Sequence, residues 1–497
     1  MTAYSELMAF QRDTEALGHI MQRLSWDQEA MMPRGAAVQR AEEMAALEGV
    51  IHARRADPRL GDWLAEAEAP DAAGQRALEL IGRAHARATR VPARLAAEIA
   101  RATSIAQGVW AEARERDDVA LFLPRLAEVL ALRREEAAAL ADGTGREALY
   151  DALLEDYEPE TSTAEIAALF DRMRPRLTAL CAAILAAPVQ PEPLRGHFGR
   201  EGQLRLARRL AEVFGYDFAR GRLDEVVHPF CSGGGMDVRI TTRTVEGDPF
   251  NCLYSTIHEA GHAGYEQGID ASWRFTPLGR GVSMGVHESQ ARLYENQLGR
   301  SRAFCGWLHG QMAAEFGDGD IVGGLEGPEA FYAAVNRVAP GYIRTEADEV
   351  HYNLHIMLRF DLERALVSGD LVPADLEAAW NDRFAADFGQ AVDRPRHGML
   401  QDVHWSVGLF GYFPTYSLGN VYAGCLQAAL RAAVPDLDDH LARGETAPAT
   451  DWLRAQLQTH GALRPPRAAI RHATGAEPSE GPLLDYLEAK FGALYGL

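Results

Sequence analysis

Within His258-Glu259-Ala260-Gly261-His262 two imidazoles stand four residues apart, with a carboxylate beside the first. On a helix, residues i and i+4 share a face, so both rings could reach one tetrahedral Zn2+. Glu259 then lies next to the ion, in position to take a proton from a water that the ion has acidified. That is the chemistry of metal-assisted hydrolysis. The competing reading is a pair of satisfied core histidines, which the five residues alone leave open.

The elements around the motif bear on that choice. Asp248-Pro249 supplies an N-cap followed by a first-turn proline, and Leu253, Ile257 and the small Gly261 recur at helical spacing. The spacing predicts a helix that ends near Gly268. A catalytic zinc needs a third protein ligand and one open position, and the candidate is Glu288 in Val286-His287-Glu288-Ser289-Gln290. This stretch opens a second helical pattern, with Ala291, Leu293 and Leu298 apolar beside Arg292, Glu295 and Asn296. The glycine-containing Leu278-Gly279-Arg280-Gly281 allows the second helix to fold back on the first. Just upstream, Phe230-Cys231-Ser232-Gly233-Gly234-Gly235 reads as a turn leading into Met236 to Val245. There Val238, Ile240 and Thr242 alternate with Asp237, Arg239 and Thr241, which predicts a strand. A short sheet at this place could bind an extended peptide along its edge.

Composition limits the function classes. The 497 residues are 47% hydrophobic, a normal globular fraction, and allow either two or three domains or one large helical body. No run of about 18 apolar residues offers a membrane span, and Met1-Thr2-Ala3-Tyr4-Ser5-Glu6 lacks the basic and apolar regions of a secretion signal. A soluble cytoplasmic enzyme without a membrane partner is expected. Cys181, Cys231, Cys252, Cys305 and Cys425 are odd in number and scattered, so they read as reduced thiols and not as a thiolate metal site. The formal charge of −21 argues against nucleic acid as a partner.

Residues 1 to about 225 are rich in Ala, Leu, Glu and Arg at helical period. Breaks fall at Met32-Pro33, Ala69-Pro70, Val91-Pro92, Glu158-Pro159 and the proline-rich 187–193, the best linker candidate. Three ionisable clusters follow the motif region: Ile343 to His355, helical in pattern; Gly398 to Trp405; and Gly411 to Tyr416. The first holds a second i, i+4 pair, His351 and His355. No carboxylate follows His351 as a base, so packing and supporting roles are preferred to a second metal site.

Taken in order, the pieces resemble the carboxypeptidase Taq family of zinc metallocarboxypeptidases. They are His228-Pro229-Phe230, Asp237-x-Arg239-x-Thr241, His258-Glu259-x-x-His262, His287-Glu288-Ser289-Gln290, Ile343-Arg344-x-x-Ala347-Asp348 and Gly398-x-x-Gln401-Asp402-x-His404-Trp405. Trp26-Asp27-Gln28-Glu29 and Met32-Pro33 also look like the opening of that family, so the likeness covers nearly the whole chain. It implies a mainly α, zincin-like and neurolysin-like fold: one large helical body over 1–497 with a deep groove, zinc at its floor and a small β-sheet along one wall. Residues 1–225 would form one wall of the groove and 226–497 the catalytic part. It further implies a homodimer that removes one amino acid at a time from the free C-terminus of short peptides, with broad side-chain tolerance and poor cleavage next to proline.

In that reading His258, His262 and Glu288 hold Zn2+, for which Co2+ could substitute, and Glu259 is the general base. His404 and Tyr412 resemble the oxyanion donors of other helical zinc peptidases, with Tyr416 as the alternative to Tyr412. A terminal carboxylate calls for an arginine fork, and Arg344 and then Arg239 are the candidates, each with a neighbouring aspartate as a competing partner. Tyr416 and Gln401 complete the expected substrate-binding groups. The same zinc chemistry would also serve an endo-acting oligopeptidase or a dipeptidyl carboxypeptidase. From a different class, a non-catalytic helical scaffold would close its zinc with four protein ligands and have little use for Glu259.

Overall fold

The computed structural model describes residues 2–143, 145, 147–317 and 321–497. The Ala- and Leu-rich first part forms long helices, among them Ala3–Ala30, Ala37–Arg55, Ala72–Arg90, Ala93–Arg116, Val119–Leu140 and Thr163–Ala186. Their ends follow local chemistry. The Thr2 hydroxyl accepts from Ser5 N at the first helix, and Ser162 and Glu165 form a reciprocal capping box at Thr163. Each proline-marked break separates two helices. The fold is mainly helical, with small sheets.

The chain divides into two compact units, and one of its crossing points lies between Gln190 and Pro191, inside the proline-rich segment. The first unit comprises Met1–Thr89, Pro191–Arg337 and Tyr422–Pro478. It carries a three-stranded sheet of β1 (Leu223–Glu225), β2 (Cys231–Gly234) and β3 (Asp237–Thr242) in the order β1-β3-β2. β1 runs parallel to β3 with Asp224 opposite Thr241, and β2 runs antiparallel with Ser232 opposite Arg239. The expected strand therefore forms, but it stops at Thr242. There the side chain turns to the next helix, Thr242 Oγ1 donating to Cys252 O at 3.0 Å. Val238 and Ile240 are buried with Ala211, Tyr216 and Ala263, which seals the sheet against the helix Pro249–Gly268. No helix among the described residues is long and apolar enough to cross a membrane.

The second unit comprises Arg90–Gln190, Val338–Val421 and Ser479–Leu497. Its centre is the helix Tyr352–Ser368, buried on nearly every side and carrying His355, Arg359 and Glu363 inward. Glu363 accepts from Tyr150 OH at 2.7 Å, Trp405 Nε1 at 2.8 Å and Gly411 N at 3.1 Å. One carboxylate thus satisfies donors from three chain segments, the arrangement a buried charge requires. The helical pattern expected from Ile343 is interrupted: Arg344–Glu346 is a single 3-10 turn and the α-helix begins only at Tyr352. Asp348 Oδ1 accepts from the backbone N of Val350 and of His351 and starts the helix there.

Candidate metal centre

The His258 helix runs from Pro249 to Gly268 and carries His258 and His262 on one face, with Glu259 next along the helix from His258. A second helix, Met284–Arg292, carries Glu288 and is capped by Ser283, whose hydroxyl accepts from Val286 N. The two helices approach so closely at Gly261 that a Cβ there would lie 2.6 Å from Ala291 Cα and 2.7 Å from Gln290 O. Glycine at this position is a packing requirement. The approach brings Glu288 Oε2 to 3.5 Å from His262 Nε2 and 3.8 Å from His258 Nε2.

One ligand atom from each of His258, His262 and Glu288 lies within 4.8 Å of the others. Two imidazole nitrogens and a carboxylate oxygen converging from partly buried and buried side chains fit a divalent cation of the zinc class with three protein donors. The rest of each ligand is held by the protein. Arg292 Nε donates to Glu288 Oε1 at 2.7 Å, which leaves Oε2 turned to the imidazoles. His258 Nδ1 pairs with Glu295 Oε2 at 2.9 Å, and His262 Nδ1 lies 2.7 Å from His287 Nδ1.

The electrostatics follow these partners. Burial pushes His262 down to about 4. Burial acts on His258 in the same sense, but Glu288 and Glu295 outweigh it and raise its pKa. Burial opposes ionisation of Glu288 too, yet Arg292 and the two imidazoles hold it well below the usual carboxylate range. Glu259 differs from all of them. It is buried, its Oε2 has no hydrogen-bond partner among the described residues, and burial pushes its pKa up to about 7. A carboxylate balanced between its two protonation states near neutrality suits proton transfer.

The sequence profile of the carboxypeptidase Taq (M32) metallopeptidase family matches residues 6–491. The chain belongs to that family. Membership makes it a metal-dependent peptide hydrolase of the carboxypeptidase class. It is similar to thermostable carboxypeptidase 1 of Thermus thermophilus, 43% identical over 99% of each chain. Carboxypeptidase 1 of Bacillus subtilis is 33% identical over 95% of this chain and 94% of that one. Among solved structures, the M32 carboxypeptidase from Deinococcus radiodurans R1 superposes with a TM-score of 0.95 at 38% identity, covering 100% of both chains. Trypanosoma cruzi metallocarboxypeptidase 1 gives 0.94 at 32% identity over 98% of this chain and 99% of that one.

The other expected site residues of this M32 metallocarboxypeptidase fall into local clusters. Arg239, in the first unit, is paired with Asp237 through Nε at 2.8 Å and Nη2 at 2.9 Å and lies over the Trp26 ring at 4.2 Å. In the second unit Arg344 is buried, donating from Nη2 to Asp402 Oδ1 at 2.9 Å and from Nη1 to Tyr352 OH at 3.1 Å. Asp402 also accepts from Arg359 Nε at 2.7 Å, so one carboxylate faces two guanidiniums. Gln401 accepts from Arg344 N at 2.9 Å and donates to the carbonyls of Tyr342, His397 and Gly398, so its amide is occupied by backbone. His404 Nε2 lies 3.3 Å from Tyr416 OH, and its pKa is pushed by burial to about 3, which keeps the ring neutral. The Tyr412 ring stands 5.6 Å from His404 and 5.3 Å from Tyr416.

His351 and His355 do not form a metal-ligating group among the described residues. His351 Nδ1 pairs with Asp348 Oδ2 at 2.8 Å, and His355 packs at 4.5 Å on the Phe388 ring. The centre also holds residues that sequence reasoning left unassigned. They are Glu295, which pairs with His258, and Glu266, which follows His262 by one helical turn, a spacing that places it on that ligand's own face and makes it legible in the sequence.

Proposed function

We propose that the protein removes single amino acids from the free C-terminus of short peptides, with Zn2+ held by His258, His262 and Glu288 and with Glu259 as general base. The observation that carries this reading is the buried, unpartnered Glu259 Oε2 beside a convergent His, His, Glu donor set. A structural site closed by four ligands would not need that carboxylate. Co2+ can take the same donors.

The bound ion would supply Lewis acidity toward the scissile carbonyl and lower the pKa of water. Glu259 accepts the proton of the attacking water at its carboxylate and delivers it to the nitrogen of the leaving amino acid. Arg292, by holding Glu288 Oε1, keeps Oε2 available and ionised. His404 and Tyr412 are assigned to the oxyanion, with Tyr416 as the hydroxyl that contacts His404. Arg344 is assigned to the substrate carboxylate ahead of Arg239. Supporting this order, the Arg344 guanidinium lies 4.9 Å from the ring of Tyr416, which contacts His404, whereas Arg239 lies over Trp26 and pairs with Asp237, which Arg23 also faces. Gln401 contributes through the backbone of Arg344. The same reading treats 1–497 as one catalytic chain, working as a cytoplasmic homodimer in a zincin-like fold. The treatment of 1–497 as one catalytic chain is supported by relatives that are named carboxypeptidases and match over almost their full length.

The experiment incubates the protein with an N-terminally blocked peptide and with its C-terminal amide, with and without a chelator, and identifies the products. Single free amino acids, from the acid alone and only without chelator, are expected. Dipeptides or internal fragments would make it a dipeptidyl carboxypeptidase or an oligopeptidase instead.

A further inference from the structure

The two imidazoles of the donor set are backed differently. His258 Nδ1 faces a carboxylate directly, Glu295 Oε2 at 2.9 Å. His262 Nδ1 faces another imidazole, His287 Nδ1 at 2.7 Å, and His287 Nε2 in turn meets Glu266 Oε1 at 2.9 Å. We propose that His287 and Glu266 are a positioning relay that fixes His262 in its Nδ1-protonated tautomer, so that His262 Nε2 stays bare toward Glu288.

The direction of the relay follows from counting protons. Two ring nitrogens 2.7 Å apart share one hydrogen, so one of them is a bare acceptor. His262 Nε2 is the nitrogen turned to Glu288 Oε2, at 3.5 Å, and a metal ligand must be bare there. His262 therefore carries its hydrogen on Nδ1 and donates it. His287 accepts at Nδ1, which places its own hydrogen on Nε2, where Glu266 Oε1 receives it. All donors point the same way, from His262 to His287 to Glu266. A neutral imidazole that could turn over would present a hydrogen to the metal position for part of the time, and the relay removes that state.

The packing holds the middle ring in place. A Cβ at residue 281 would stand 2.6 Å from His287 Cδ2, so Gly281 lets the loop close over this ring. The Tyr265 ring lies 5.3 Å from it, and Gly281 N also donates to Glu266 Oε1, at 3.4 Å. His287 and Glu266 are thus bound to the loop as well as to each other. Glu266 and His262 sit one turn apart on the same helix, so the relay begins and ends on one rigid element.

This inference rests on the reading of His258, His262 and Glu288 as the metal ligands, and the test separates the two. Zn2+ affinity of the metal-free full-length protein is measured by competition with a chromogenic chelator, alongside the melting temperature of the metal-free form. Nitrogen-15 spectra of the histidine rings report the tautomers. His287→Phe should weaken Zn2+ binding by about 10–100-fold and return His262 to mixed tautomers. His287→Asn, whose amide oxygen can accept from His262 Nδ1, should recover part of the affinity. Glu266→Leu, which leaves both rings in place, should also weaken binding and covers the case in which His287→Phe does not fold. Unchanged affinity in His287→Phe or Glu266→Leu, or equal losses in His287→Phe and His287→Asn matched by an equal fall in melting temperature, would overturn the relay. Failure of the parent protein to bind Zn2+ would overturn the ligand assignment itself.

Discussion

His258 Nδ1 and Glu295 Oε2 lie 2.9 Å apart, and Glu295 is itself gripped by Arg292 and Arg300. Burial opposes ionisation of Glu295, but His258 and the two guanidiniums prevail and bring its pKa down to about 2, so His258 is backed by a carboxylate across the whole working pH range. Glu295→Ala should therefore cost about 10–100-fold in metal affinity, and Glu295→Gln, which keeps an acceptor oxygen, should cost less. Chelator competition measures both. Equal affinities in all three proteins would remove Glu295 from the site.

Gly261 sets the distance between the two helices that carry the donors. Gly261→Ala places a methyl 2.6 Å from Ala291 Cα, a contact that backbone must yield to. The expected cost is about 1–3 kcal/mol of stability together with weaker metal binding, because Glu288 rides on the displaced helix. A Gly261→Ala protein with unchanged melting temperature and full metal content would show that the close approach is dispensable.

Arg344→Ala should raise KM for free-acid peptides far more than for their C-terminal amides, because a guanidinium fork discriminates in favour of the carboxylate. Steady-state kinetics on matched acid and amide substrates decide the matter. An equal effect on both substrates would leave Arg344 with its partner Asp402 as a purely structural pair.

The pair of His351 and Asp348 gives stability a defined pH dependence. Burial lowers the pKa of His351, but Asp348 and Cys181, both hydrogen-bonded to the ring, together outweigh it and lift the value to about 10. A folded-state pKa above the unfolded one means that this stabilisation is complete below the ordinary histidine value, about 6.5, and is lost as pH rises toward 10. His351→Gln should thus cost on the order of 3–5 kcal/mol at pH 6 and progressively less toward pH 10. Melting curves of the two proteins over that window check it, and a gap independent of pH would contradict the pairing.

The reach of the sequence ends where partners come from outside a helix. His258, Glu259 and His262 are legible because Asp248-Pro249 and the apolar spacing define their helix from Pro249 to Gly268. Glu288 is legible because two imidazoles leave a catalytic zinc short of a third protein ligand, and its own helix, Met284–Arg292, opens just before it. Glu295 is hidden by a π-helical segment, Leu293–Gly299, whose wider turn cannot be read from apolar periodicity. The arginines are half legible: Arg239 pairs with the Asp237 beside it on the same strand, but Arg344 takes Asp402, far along the chain, and not Asp348. The Asp348 side chain instead accepts from the backbone at Val350 and His351, which starts the helix late and places His351 at its N-cap, outside the helix that carries His355.

In the proposed reaction Glu259 moves the proton, supported by His258, His262 and Glu288. Its most direct test is Glu259→Gln, with metal content and kcat measured on the same preparation. One metal ion per chain is expected, as in the parent, with kcat lowered by about 10²–10⁴-fold. Retention of both metal and activity would contradict the assignment of Glu259 as the base.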